Sequence, residues 1–314
     1  MKHIADVTRL GVLLLVADTL SACANLQAVR DFSKQSAQLA AYTDVTNRVV
    51  STPDVLLQQV PQVASFGPVR DKLKASAQAR AERRDSLLKI HNVVAGYMGA
   101  LANLAGEDTF SLSSSIDKVS GALVEAPDLG IKADTVDAFA KIATVVTSWI
   151  TEAIQVREVK AMVAKHGDAM EQMLAGMEDV TSSMLAILEE DQKVSGTFAE
   201  YYEGGFRFTL GIEQPAPTAL TGDARKQYEE QMEIARMRRD AVGLLVVRSN
   251  AAMRADQEAA VSSARSALAG VRLVRAGHAE MRNNMDKLTS AQVVAQLRRF
   301  AADLQDVRSN LKKL

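Results

Sequence analysis

The segment DARKQYEEQMEIARMRRDAVGLLVV, residues 223–247, opens the longest part of the chain without proline and decides the predicted fold class. Pro217 is the last proline of the 314 residues. Because proline inside a helix costs about 3 kcal/mol, proline-free stretches are where long helices can run. The Ala, Arg, Gln, Glu, Met and Leu residues of this segment also favour helices over strands. We predict a long helix that begins near Asp223.

The composition of the whole chain points the same way. Hydrophobic residues make up 47% of the sequence but aromatic residues only 4%, so Ala, Val, Leu and Met must supply the core. Strands are enriched in aromatic and β-branched residues, whereas this set favours helices. We predict an all-α fold, an elongated antiparallel bundle of about five to seven helices that includes long helical hairpins.

Three regions rich in proline or glycine interrupt the helical pattern: residues 51–68, 106–134 and 204–223. We predict that they are the main breaks of a single domain covering residues 23–314. Proline is favoured in the first turn of a helix, so the helix after the first break is predicted to run from Pro68 to about residue 105.

A helical hairpin is predicted between the second and third breaks. Residues 166–167, His-Gly, read as a helix stop, and Asp168 can cap the next helix, which should end at the glycines 204–205. A short loop between two long helices favours antiparallel neighbours. Residues 206–210, FRFTL, alternate like a brief strand.

The first 22 residues have the layout of a secretory signal. Lys2 and Arg9 precede an apolar run at residues 10–17, LGVLLLVA. At 1.5 Å per residue this run spans roughly 12 Å, far less than the ~30 Å hydrocarbon core of a bilayer. We therefore expect residues 1–22 to be a cleaved signal peptide and not a membrane span.

The end of this segment, Leu20-Ser21-Ala22-Cys23, resembles the lipobox of bacterial lipoproteins. The resemblance implies that the Cys23 thiol is diacylated and that the chain is cleaved before it, so that lipid chains attach the protein to a membrane. Asp18 departs from the pattern, because a charge just before the box is unusual and could slow processing.

The residue after the cysteine influences sorting in this family. An aspartate there resembles an inner-membrane retention signal, whereas this chain has Ala24. The resemblance implies an outer-membrane anchor with the body in the periplasm, and the inner membrane is the alternative. Because Cys23 is the only cysteine, an internal disulfide cannot form.

No motif for catalysis or cofactor binding is present in the sequence. The chain contains no Gly-rich phosphate loop, no serine elbow and no His-Glu-x-x-His signature. After the signal segment only three histidines remain, His91, His166 and His278, and they lie far apart in sequence. We expect a non-enzymatic protein without a cofactor.

Methionines at helical spacing are the only candidates for a metal site. His166, Met170, Met173 and Met177 fall on one helical face, and Met184 continues it. Thioether and imidazole donors suit Cu(I). Methionine at this spacing is also ordinary core filler, which is the favoured interpretation. A second set follows the same pattern at His278, Met281 and Met285.

An uncharged segment, NVVAGYMGALANLAG at residues 92–106, allows a membrane-related alternative. It loosely resembles the hidden apolar segment of helical pore-forming toxins, which implies a helical protein that rearranges to insert. The favoured interpretation is a tight helix crossing inside the bundle, with Gly96 and Gly99 allowing close approach.

The charges narrow the possible partners. The 37 basic and 38 acidic residues nearly cancel, so nucleic acid is not an expected partner. A basic run at residues 70–84 could meet anionic headgroups, but acidic neighbours make a solvated helix face the simpler interpretation.

The leading hypothesis is an outer-membrane-anchored periplasmic lipoprotein that acts as a structural or protein-interaction module, with an unidentified envelope protein as partner. A membrane-inserting effector and a Cu(I)-buffering module are the alternatives.

Overall fold

The computed structural model describes residues 27–106, 122–151, 159–210, 217, 221–288 and 290–311. Nearly all of these residues are helical, and among them the pairing of extended backbone is limited to an isolated bridge between Ala126 and Ile131. The all-α class predicted from composition is confirmed.

Long helices account for most of the described chain. Residues 27–40 form helix α1, and the later helices are α2 (Asp44–Gln59), α3 (Gly67–Leu104), α4 (Ala133–Thr151), α5 (Val159–Leu210), α6 (Gly222–Asn283) and α7 (Ala291–Leu311). Helix α6 is 62 residues long and begins one residue before Asp223, as its proline-free sequence predicts. The bounds of α3 also agree with the prediction to within one residue at each end.

The first predicted break, residues 51–68, is mostly wrong because α2 continues through Pro53 to Gln59. A proline has no N–H, so the carbonyl four residues earlier, that of Val49, loses its helical donor. Arg80 supplies a replacement: its Nη1 donates to the Val49 oxygen at 3.0 Å. The break is thereby reduced to residues 60–66.

The predicted hairpin at residues 166–168 is also wrong, because α5 is one continuous helix of 52 residues. Gly167 lies inside it, where the absence of a side chain leaves room for Arg282: a Cβ on Gly167 would lie 3.2 Å from Arg282 Cδ. Asp168 does not cap a helix but accepts a hydrogen bond from Arg282 Nη1 at 2.8 Å. Packing against another helix therefore compensates for a glycine that sequence reasoning treats as a stop.

The third break is shorter than predicted. Helix α5 passes through the glycines at 204–205 and includes residues 206–210, so the brief strand predicted there is wrong. Of the second break, residues 122–132 lie between helices and contain a 3-10 turn, Pro127–Leu129, whereas residues 107–121 lie outside the described part of the chain.

The chain divides into two compact units. The first unit comprises Met1–Arg48, Glu82–Ala186 and Ser262–Leu314, and the second comprises Val49–Ala81 and Ile187–Val261. Helices α2, α3, α5 and α6 each contribute residues to both units.

The core of the first unit contains few aromatic side chains and tight helix crossings. Phe32, Tyr97 and Ile142 are among its largest fully buried residues. Helix α6 approaches α1 so closely at Gly277 that a Cβ there would overlap the Phe32 ring.

The second unit has a small core of its own. Leu56, Val60, Leu73 and Phe198 are buried together, and the Phe66 ring packs edge-on against Phe198 with centroids 5.9 Å apart. Beside this core, Arg80 forms a bidentate pair with Asp191, at 2.6 and 3.0 Å, in which the two side chains are only 13% and 6% exposed.

Candidate functional sites

The predicted lipidation site, Cys23, and the signal segment before it lie outside the described residues. Residue 27 is the first described position of α1, four residues after Cys23.

The methionine stripe lies in the core of the first unit. Met170 and Met173 are fully buried, and Met177 and Met184 are at most 3% exposed. His166 is only half-buried, and its pKa is lowered by partial burial and by the neighbouring Lys165. The four candidate metal ligands therefore lie on one helix, but His166 is less buried than the three methionines.

The second set of candidate metal ligands, His278, Met281 and Met285, also differs in burial. His278 and Met281 are buried, whereas Met285 lies in a 3-10 turn and is partly exposed. Among the described residues, no group of three or more His, Cys, Asp or Glu side chains is placed to hold a metal ion.

His91 occupies a buried polar site that the sequence did not reveal. Its Nδ1 lies 2.9 Å from the carbonyl oxygen of Ala40, and its Nε2 lies 2.9 Å from Thr46 Oγ1. A carbonyl can only accept, so Nδ1 carries a proton. Burial lowers the pKa of His91 against the opposing effect of the Ala40 hydrogen bond. The ring is therefore neutral at pH 7, and Nε2 accepts the Thr46 hydroxyl proton.

A small cavity lies beside this histidine. His91, Tyr42, Met177, Met184 and Val271 are among the side chains that line it. The cavity is small and leaves room for roughly one water molecule. The cavity thus brings two methionines of the predicted stripe and a histidine from another helix to one place.

A second buried histidine joins three helices in the first unit. His278 Nδ1 lies 2.6 Å from Glu171 Oε1, and Tyr97 Oη lies 3.4 Å from His278 Nε2. Burial, and secondarily the charge of Glu171, raise the pKa of Tyr97, so the phenol keeps its proton and can donate to Nε2. The His278 side chain is 0% exposed, so no substrate can reach it in this conformation.

An ion-pair network extends from this site towards the surface. Arg272 Nε and Arg275 Nη1 donate to the two oxygens of Glu178 at 2.8 and 2.9 Å. Burial of Glu178 opposes its ionisation, but the two arginines outweigh that effect and lower its pKa. The network joins α5 to α6, and we interpret it as stabilising the packing of these two helices and not as a binding site.

The basic run at residues 70–84 makes several hydrogen bonds within the protein. Arg70 donates to the carbonyl of Pro61, Arg80 to Val49 and Asp191, and Arg84 to the side chain of Asn47. These contacts support its interpretation as part of the fold.

Among the residues that the structure describes, the most exposed apolar surface lies on α6, in the second unit. Ile234, Met237, Leu244 and Leu245 are 45%, 57%, 52% and 65% exposed, and Val242 and Val247 beside them exceed half. The opposite side of the same helix carries Gly243 and Asn250, which are buried, and Asn250 donates to the Ala199 carbonyl of α5 at 3.3 Å. Helix α6 therefore packs with one face and presents an apolar second face to solvent.

The uncharged segment at residues 92–106 is buried, in contrast to the α6 face. Val93, Val94 and Met98 are fully buried in the first unit. A Cβ on Gly96 would lie 2.9 Å from Val146 Cγ1 of α4, as expected for a tight helix crossing. No helix of the described residues has both the length and the apolar character that a bilayer span requires.

Comparison with known proteins gives no relative for this chain: no family model, no curated protein and no solved structure matches it.

Proposed function

We propose that this chain is a periplasmic lipoprotein, anchored to the outer membrane by lipid on Cys23, whose helices form a non-enzymatic protein-interaction module. The observation that carries the interaction role is the apolar face of α6. A helix that packs on one side and is apolar on the other normally covers that second side with another protein.

The anchor is supported by the sequence around Cys23. An apolar run and the four lipobox positions precede the first helix in the order that lipid attachment requires. Each buried CH₂ of an acyl chain contributes about 0.8 kcal/mol, so two or three chains make attachment effectively permanent. An anchor of this kind needs no membrane-spanning helix.

A non-enzymatic role is supported by the surroundings of the histidines. His91 and His278 use both ring nitrogens in buried hydrogen bonds, which leaves neither ring available as a general base. Both sites join helices, and this accounts for polar residues in an otherwise apolar core.

The anchor is tested by labelling cells with radioactive palmitate. We expect the wild-type protein to carry label in the outer-membrane fraction and Cys23→Ser to carry none. Asp18→Asn is the matched control, because it changes the same segment and leaves the thiol, and it should keep the label. Label on Cys23→Ser, or a wild type that is unprocessed and unlabelled, would contradict the anchor.

Binding of a soft metal is a second candidate function, favoured by the cavity beside His91. Met177, Met184 and His91 surround one space, and two thioethers with an imidazole form a donor set suited to Cu(I). Binding would require Thr46 to release Nε2. A Cu(I) competition titration should show binding that Met184→Leu removes and Met173→Leu retains; no binding by the wild type would refute this function.

A further inference from the structure

We propose that the partner of the α6 face is a second copy of this chain, paired antiparallel about a two-fold axis near residue 239. This inference deepens the proposed interaction role and rests on it, but it does not depend on lipid at Cys23.

The exposed face has the spacing of a coiled-coil seam. Positions 230, 234, 237, 241, 244 and 248 alternate in steps of four and three, and all six are exposed. The four inner positions are apolar, Ile234, Met237, Ala241 and Leu244. The heptad pattern of a two-stranded coiled coil requires such alternation of steps. This seam lies opposite the buried positions Gly243 and Asn250, so it is free for a second helix.

The two ends of the seam carry opposite charges. Glu230 closes it on the N-terminal side and Arg248 on the C-terminal side, at equal distances from residue 239. In an antiparallel pair each Glu230 meets the Arg248 of the other copy, Ile234 meets Leu244, and Met237 meets Ala241. A parallel pair would instead place Glu230 against Glu230 and Arg248 against Arg248. Charged residues at seam positions select orientation in this way.

A two-fold axis makes the surface its own complement. Seam positions at equal distances from residue 239 contact each other across the axis. The same surface patch is therefore used by both copies, which is the requirement for an isologous dimer. The six large apolar side chains of the α6 face, including Leu245, Val242 and Val247, expose on the order of 500 Å² per copy, so a dimer would bury roughly 1,000 Å², the lower limit for a specific interface. The dimer is therefore expected to be reversible.

Two like-charge contacts oppose the pairing. Near the axis, Arg238 of one copy faces Arg238 of the other along one edge of the interface. Asp240 faces the Asp240 of the other copy along the opposite edge. Both side chains are exposed, and solvent weakens interactions between such charges. They reduce affinity but do not alter the orientation that Glu230 and Arg248 favour.

Disulfide trapping in the full-length chain tests the pairing. With Cys23→Ser the chain has no other thiol, so Ile234→Cys and Leu244→Cys can be introduced singly and the two variants co-expressed. In the antiparallel dimer residue 234 lies beside residue 244 of the partner, whereas like positions are about 15 Å apart along the helix. A disulfide requires Cα atoms within about 7 Å.

We expect a disulfide-linked dimer from the co-expressed pair and at least tenfold less from either variant alone. Dimers from Leu244→Cys alone to the same yield would indicate parallel pairing and overturn the proposal. Absence of dimers in all samples would overturn it as well, and the proposed interaction role would then stand only if the same cysteines became linked to a different protein.

A charge exchange provides an independent test by sedimentation of the purified Cys23→Ser chain. Glu230→Arg alone and Arg248→Glu alone should each weaken dimerisation about tenfold, and the double exchange should restore it because every pair is reversed together. Arg225→Glu, outside the seam, is the matched control and should have little effect. A double exchange as weak as either single change would contradict the pairing.

Discussion

At the scale of single residues, Arg80 replaces the hydrogen-bond donor that Pro53 lacks. The carbonyl of Val49 has no helical donor because Pro53 lacks an N–H, and Arg80 donates to that oxygen while its guanidinium is held by Asp191. All four residues lie in the second unit. The proline is thus tolerated inside α2 because a residue 31 positions from Val49 completes the backbone hydrogen bonding.

Replacing Arg80 should destabilise the second unit strongly. Arg80→Leu leaves Asp191 buried without a partner and Val49 without a donor, which should lower the free energy of unfolding by about 3 kcal/mol. The measurement is urea unfolding followed by helical circular dichroism. Arg84→Leu is the control, because Arg84 is exposed and should contribute less than about 1 kcal/mol.

A double mutant tests whether Arg80 stabilises the protein by replacing the N–H that Pro53 lacks. In Pro53→Ala the alanine N–H can bond the Val49 carbonyl, so Arg80→Leu should cost about 1 kcal/mol less in that background than in the wild type. Equal costs in the two backgrounds would show that Arg80 does not act through the Val49 carbonyl.

The buried histidine His91 should make stability depend on pH. Its folded pKa is lowered below the ordinary value of 6.5, so below pH 6.5 the unfolded chain binds a proton that the folded chain does not. The free energy of unfolding should then fall as pH decreases, by up to about 1.4 kcal/mol per pH unit. His91→Gln, compared by urea unfolding between pH 7.5 and 5, should lose this component; identical pH profiles would refute the assignment.

At the scale of helices, composition and proline spacing predicted α3 and the start of α6 well, because Pro68 and the proline-free stretch after Pro217 are strong local signals. The predictions at Pro53, Gly167 and residues 204–205 failed for a common reason. Local propensity marks these residues as breaks, whereas contacts with distant residues, Arg80 and Arg282, compensate for two of them. Such compensation depends on tertiary packing and cannot be seen in a single sequence.

Two glycine substitutions should have opposite effects although both lie inside helices. Gly277→Ala would drive a Cβ into the Phe32 ring and should lower the free energy of unfolding by about 1–3 kcal/mol. Gly196→Ala meets no atom within 4 Å and should raise it by about 0.5–1 kcal/mol through helix propensity. Thermal unfolding of both variants checks this, and destabilisation by both would contradict the crossing at Gly277.

At the scale of the molecule, the proposed lipid anchor and the proposed contact surface rest on different kinds of signal. The proposal of an anchor at Cys23 rests on a local resemblance, four residues that can be found by inspection of the sequence. The α6 face could not, because the uncharged run at residues 241–247 is equally typical of a core helix. Only the exposure of Leu244 and Leu245, against the burial of Gly243, distinguishes a contact surface from a core.

The central claim, that the α6 face is covered by protein in the cell envelope, is tested most directly by thiol accessibility. With Cys23 acylated, a cysteine at Leu245→Cys is the only free thiol, and its reaction with a membrane-impermeant maleimide can be timed in outer-membrane preparations and in dilute purified protein. We predict at least tenfold slower labelling in the membrane preparation, and no difference for the exposed control Arg298→Cys. Equal labelling rates for Leu245→Cys in the two samples would contradict the account.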